Sequence, residues 1–179
     1  MSLNKHYLLV TGSVGSGKTE LGKRLKQRIK RLAVFDMDAI KWQISDFQRG
    51  PADNKIVRAG VLALASAYCN HGLNILIPQC MAIEEIDAHK ALAKENNYHL
   101  IHIELIANDE VSLKRIMKKP QVPGKPRTQE RILENIAWYH KQPQYSDAIV
   151  IDTSNITADQ VEQTVLDLLT SSGSQVQSN

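Results

Sequence analysis

Short apolar runs alternate with longer amphipathic stretches along most of the chain. Tyr7 to Thr11 reads as a buried strand, and Glu20 to Arg31 as a helix with Leu21, Leu25 and Ile29 at i, i+4 and i+8. Ala33-Val34-Phe35 predicts a second strand. Ile56, Val57, Val61, Leu64 and Tyr68 mark one face of a long helix that stops at His71-Gly72. Asn74 to Pro78 predicts a third strand, Glu84 to Glu95 a polar helix, and His99 to Ile106 a fourth strand. Glu110 to Lys118 follows as a helix that Asn108 or Asp109 can cap, then Gln129 to Lys141 as another, and Ala148 to Asp152 as a fifth strand. Thr157 with Gln160 forms a capping box and Ile156 with Val161 a hydrophobic staple, which together start the last helix. Strands alternating with helices imply a parallel sheet with right-handed crossovers. Such a sheet takes its ligands beyond the carboxyl ends of its strands.

The pattern gives one domain over residues 1–170, with no repeat and no linker. The polar stretch from Ser171 to Asn179 buries little and is expected to be a disordered tail. Pro120, Pro123 and Pro126 deny a helix its donors, so Pro120 to Pro126 is a loop. Phe, Trp and Tyr number 2, 2 and 5, which leaves the core to Ile, Leu, Val and Ala. The net charge of +3 is too small to argue for a dedicated nucleic-acid binder. The longest apolar run, Val61 to Ala65, is far too short to span a membrane, and Tyr7 to Val10 is too short for a signal peptide. Cys69 and Cys80 make no disulfide framework and no common metal motif. They are expected to be free thiols in a reducing cytoplasm.

The segment Gly12-Ser13-Val14-Gly15-Ser16-Gly17-Lys18-Thr19 is a complete G-x-x-x-x-G-K-S/T phosphate loop, and it lies between a predicted strand and a predicted helix. Glycines let the backbone curl so that its N–H groups face the phosphates, and the helix N-terminus adds partial positive charge. Lys18 is a point charge for the β and γ phosphates of ATP, and the Thr19 hydroxyl is a ligand for Mg²⁺.

Other motifs decide which kind of phosphate-loop protein this is. Asn54-Lys55-Ile56-Val57 fails the guanine signature at its fourth position. The third strand ends Ile77-Pro78-Gln79, without the carboxylate a motor-type ATPase needs there. Asp152 ends the last strand and is expected to serve the strand end or the nucleotide pocket. The carboxylates come instead from Asp36-Met37-Asp38 after the second strand, 18 and 20 residues beyond Lys18. In an extended segment both would point to one side. Asp36 is then expected to support Mg²⁺ through water, and Asp38 to accept the proton of an attacking hydroxyl, or to cap a helix beginning at Ala39.

A phosphate loop followed by this strand-end D-x-D resembles the small P-loop kinases over nearly the whole chain. That group includes shikimate kinase, chloramphenicol phosphotransferase, and the zeta-toxin-like and adenylate-kinase-like relatives. The resemblance implies a three-layer α/β/α sandwich with a five-stranded parallel sheet of the nucleoside-monophosphate-kinase type. It implies a lid at about 118–128, with Arg115 matching the family's helix arginine and Arg127 a second arginine toward the transferring phosphoryl group. It implies an acceptor site near Asp38, Arg49, Arg58 and Gln79. Lys141, Gln79-Cys80-Met81 and Lys119-Pro120 depart from the shikimate kinase pattern, and lysines do not reproduce a bidentate arginine grip on a carboxylate.

The implied activity is Mg·ATP-dependent transfer of the γ-phosphate to a hydroxyl or phosphate of a small molecule. The same chemistry would serve a nucleotide or polynucleotide kinase, and the same loop a regulatory module without turnover. His102 and Glu104 share a strand face and are expected to be structural. The basic residues from Lys23 to Arg31 read as a solvated helix face, and Trp138 and Tyr139 as packing.

Overall fold

The computed structural model describes residues 5–48, 50–120, 128–142 and 145–174, with residues 172–174 as backbone only. The strands β1 (His6–Gly12), β2 (Leu32–Val34), β3 (Asn74–Pro78), β4 (His99–Ile106) and β5 (Ile149–Asp152) form one sheet in the order β2-β3-β1-β4-β5. Every pairing is parallel. The helices are α1 (Lys18–Arg28), α2 (Met37–Lys41), α3 (Pro51–Asn70), α4 (Ile83–Glu95), α5 (Asp109–Met117), α6 (Gln129–His140) and α7 (Ala158–Ser174).

The two-residue period of the central strand divides the core into two layers. Tyr7 and Leu9 of β1 pack with Val61, Ala65 and Cys69 of α3 and Ile86, Leu92 and Ala93 of α4. Leu8 and Val10 turn to the opposite face, against Leu21 and Leu25 of α1 and Val161, Val165 and Leu169 of α7. Ile116 of α5 meets Ile132 and Ile136 of α6 in a smaller cluster that also takes Val14 of the phosphate loop. The connection leaving β1 runs toward the β2 edge, while the connection leaving β4 runs toward β5. The crevice beyond β1 and β4 is therefore the switch point of the sheet, where open α/β folds place their ligands.

Several expectations are refined by the chain itself. The Asn108 side chain, not that of Asp109, accepts from Val111 N and caps α5. The reciprocal Thr157–Gln160 bonds start α7, and Ile156 and Val161 pack in one cluster. Helix α7 continues through Ser174, so residues 171–174 are helical rather than part of a tail. The basic face of α1 is not simply solvated: Arg24 pairs with Glu20, Asp159 and Glu162, and Arg28 with Glu162, which ties α1 to α7. Among the described residues no helix is long and apolar enough to cross a membrane. Both cysteines are free thiols.

Two histidines are held neutral inside the fold. His6 is 2% exposed with neither ring nitrogen partnered, and its pKa is pushed down to about 4 by burial and then by His99. His89 is 6% exposed, lies 2.6 Å from the Tyr7 hydroxyl through Nδ1, and is likewise pushed down by burial to about 4. Between pH 6.5 and 4 the unfolded chain binds these protons and the folded chain does not. The contribution is thus complete above pH 6.5 and lost as pH falls toward 4. At pH 5 the expected loss relative to pH 7.5 is about 2–4 kcal/mol for the pair, read from urea midpoints. The double variant His6→Gln/His89→Gln should flatten that slope. A wild-type midpoint that is constant across the window would contradict the assignment.

Candidate active site

The phosphate loop is shaped by two close approaches. A Cβ at Gly12 would lie 2.0 Å from the Leu105 carbonyl oxygen of β4, and one at Gly15 would lie 2.7 Å from the Ser112 carbonyl oxygen of α5. Both residues also have positive φ, 132° and 83°, so side chains are excluded twice over. Ser16 closes the curl by donating through Oγ to the Ser13 carbonyl at 2.8 Å. The loop delivers the chain into α1, whose N-cap is Gly17, with no side chain bonded over the helix end. Helices α2, α5, α6 and α7, by contrast, each have a side-chain cap. The first N–H groups of α1 therefore face a cavity of about 690 Å³, in the size range of small-molecule sites.

Val14 to Leu21, Asp38, Arg115, Thr153 and Ile156 are among the residues lining this cavity. Lys18 bends back over the loop and donates through Nζ to the carbonyls of Gly12 at 2.8 Å and Ser13 at 2.6 Å. Burial lowers its pKa to about 8. The neighbouring Lys119 ammonium acts the same way, while the Cys80 thiol opposes both. Arg115 donates to the Thr153 carbonyl at 2.6 Å, to Thr153 Oγ1 at 3.0 Å and to the Gly15 carbonyl at 3.4 Å. It fastens the phosphate loop to the carboxyl end of β5. Thr153 itself is buried and has its hydroxyl 3.1 Å from the Ser16 carbonyl, which completes the brace.

The aspartates divide their work differently from the extended arrangement expected. The chain turns into α2 straight after Asp36, so alternation does not operate there. Asp36 accepts from Asp38 N at 3.0 Å and is the N-cap of α2. Asp38 is therefore not the cap. It sits in the first turn of α2, lines the cavity, and has Oδ1 3.2 Å from Lys41 Nζ. Asp36 is not among the cavity-lining residues. Asp152 is also not among them: it ends β5, one of the two places expected for it, and the Ser154 side chain, then the Ser154 N–H at 2.8 Å, hold its carboxyl below the usual range; Thr153 lines the cavity instead.

Arg58 and Gln79 stand elsewhere. Arg58 Nε is 2.6 Å from Glu85 Oε1. Gln79 follows β3, donates its N–H to Val10 at 2.9 Å, and keeps a buried, unpartnered Oε1. Arg49, Arg127 and residues 121–127 of the expected lid lie outside the described residues. Thr153, Glu85 and the Tyr139–Glu104 hydrogen bond add to the residues named from sequence.

For Mg²⁺, the donor set fits a nucleotide-borne ion. Thr19, which carries a hydroxyl, and Asp38, which carries a carboxylate, both line the cavity. Mg²⁺ at such sites keeps waters and substrate phosphates and needs only one or two protein oxygens. No cluster of three or more His, Cys, Asp or Glu side chains able to hold a metal occurs among the described residues.

Solved structures share the architecture. An APS kinase from Mycobacterium tuberculosis in complex with AMPPNP and APS superposes with a TM-score of 0.67 at 16% identity, covering 93% of this chain and 98% of that one. A gluconokinase from Sinorhizobium meliloti 1021 gives 0.66 at 13% identity, covering 97% and 98%. A sugar kinase from Janibacter sp. HTCC2649 gives 0.65 at 17% identity, covering 91% and 93%. No protein-family profile matches the chain, and no curated protein matches it in sequence. The chain has the fold of the small P-loop kinases, with the five-stranded parallel sheet and flanking helices that resemblance implied.

Proposed function

We propose that the protein is an ATP-dependent phosphotransferase that moves the γ-phosphoryl group to a hydroxyl of a small molecule. The observation that carries this is the uncapped N-terminus of α1, set with Lys18 and Thr19 in a cavity that also receives the Asp38 carboxylate. The loop N–H groups and the helix end would hold the α and β phosphates, and Lys18 would exchange its bonds to the Gly12 and Ser13 carbonyls for bonds to the β and γ phosphates. Mg²⁺, bound with the nucleotide, would be held by the Thr19 hydroxyl and, through water, by Asp36 or Asp38. When bound it would neutralise phosphate charge.

In the transfer, the bond between the γ-phosphorus and the bridging oxygen of ADP breaks as a bond to the acceptor oxygen forms. The acceptor's proton goes to Asp38 and from there to water. Arg115, at the β5 end of the cavity, and Arg127 would offset charge on the phosphates.

The test is a screen of metabolites and nucleosides for accelerated ADP release from Mg·ATP. One acceptor raising the rate well above the slow hydrolysis background is expected. Nucleotide binding with no acceptor in any class would favour a regulatory module instead.

A further inference from the structure

The Thr153 hydroxyl sits where β5, α5 and the phosphate loop meet. Thr153 directly follows β5, is buried, and lines the cavity. Its single hydroxyl proton has two carbonyls in reach, that of Ser16 at 3.1 Å and that of Ile106 at 3.0 Å. The Ile106 carbonyl already accepts the Thr153 N–H at 2.8 Å, which leaves the hydroxyl proton for Ser16. The hydroxyl oxygen also accepts from Arg115 Nη1 at 3.0 Å, so the proton points away from the guanidinium. Arg115 is itself fixed by the Thr153 carbonyl at 2.6 Å and reaches the Gly15 carbonyl at 3.4 Å.

These bonds act on the orientation of one peptide plane. No peptide bond among the described residues is cis, and in a trans peptide the N–H points opposite to the C=O. Holding the Ser16 carbonyl toward Thr153 therefore turns the Gly17 N–H to the other side. Gly17 is the N-cap of α1, at φ 103°, and Gly15 lies at φ 83°. With a glycine on each side of Ser16, the backbone by itself would let this plane rotate at little steric cost. Rotation would withdraw the Gly17 N–H from the donors at the helix end and set a carbonyl in its place, which repels phosphate. The Ser13 carbonyl is held differently, from within the loop, by Ser16 Oγ and Lys18 Nζ. Nucleotide binding would rearrange the lysine bond, whereas the Thr153 bond uses no charged group of the loop and can persist through binding. Resting on the phosphotransferase reading above, we infer that Thr153 is a positioning residue for the phosphoryl donor: its hydroxyl sets the Ser16–Gly17 peptide so that the Gly17 N–H is presented to the polyphosphate, with Arg115 fixing the hydroxyl.

Removing the hydroxyl alone tests this. Thr153→Val has nearly the same shape and leaves in place the Thr153 N–H bond to Ile106 and the Arg115 bond to the Thr153 carbonyl. In the full chain it is expected to weaken binding of a non-hydrolysable ATP analogue with Mg²⁺, measured by calorimetry, by roughly tenfold, the loss of one hydrogen bond to a charged group. Thr153→Ser, which returns the hydroxyl, is expected to restore wild-type affinity. Magnesium tripolyphosphate, which has no nucleoside, should show the same ratio between Thr153→Val and wild type. A loss confined to the nucleotide, or no tripolyphosphate binding at all, would place the effect at the nucleoside and overturn the inference. The Gly17 amide proton gives a readout apart from binding: in the unliganded protein its resonance should move in Thr153→Val and return in Thr153→Ser. Wild-type affinity in Thr153→Val, or a Thr153→Ser as weak as Thr153→Val, also overturns the assignment. Should Thr153→Val fold poorly, Thr153→Ala set against Thr153→Ser reads the same ratio. The two readings fail separately: a wild-type chain that does not bind the analogue refutes the nucleotide site itself, whereas binding without transfer to any acceptor refutes phosphotransfer and leaves the role of Thr153 standing.

Discussion

Asp38→Asn lowers phosphoryl transfer to the identified acceptor by roughly two to four decades, the usual range for loss of a general base, and leaves ATP affinity nearly unchanged. The carboxylate lines the cavity with Lys18 and Thr19 and is paired with Lys41, at 3.2 Å, with 75% of its side chain exposed. An exposed pair of that kind contributes about 0–1 kcal/mol, so the amide costs the fold little. The cap of α2 is untouched, because Asp36 provides it. What the amide cannot do is take the hydroxyl proton as the new bond to phosphorus forms. Single-turnover transfer beside analogue binding measures both quantities. Near-wild-type transfer by Asp38→Asn would mean that this strand end is not where the acceptor is activated.

Lys18→Ala abolishes detectable transfer and weakens Mg·ATP binding by roughly tenfold to a hundredfold, the range of about 1.5–3 kcal/mol for hydrogen bonds to a charged group. The protein should melt at nearly the wild-type temperature. The direction of the lysine's pKa supports that second expectation. Burial holds it at about 8, below the ordinary value, so the folded state disfavours this charge, and removing it relieves a cost. Isothermal calorimetry and a thermal melt on the same sample give both numbers, and unchanged affinity would disprove the role given to the lysine.

Elements with a clear period were legible from the residues alone. Strands β3 and β4 coincide with the expected Asn74–Pro78 and His99–Ile106, because turn residues bound each apolar run. Helix α3 begins earlier than its apolar face suggested, since Pro51 and a polar first turn start it. Helix α2, with five residues, is too short to show a period, and that hid which aspartate caps and which faces the cavity. The phosphate loop was legible because its chemistry is contiguous in sequence. The brace behind it was not: Arg115 meets Thr153 across 38 residues, and Tyr139 meets Glu104 across 35. Such pairs depend on how α5 and α6 lie over the strand ends, which no local pattern encodes. Glu104, read as structural from its strand face, meets Tyr139 only once α6 lies over the sheet.

The sheet also acts as a partition. The nucleotide cavity draws on α1 and the start of α7, whose apolar residues pack on one face of β1. Arg58 and Glu85 come from α3 and α4, whose apolar residues pack on the other face. Substitutions in the two apolar layers meet different neighbours. A lineage carrying this chain could therefore vary the layer under α3 and α4 while the layer that seats α1, and with it the phosphate loop, stayed fixed.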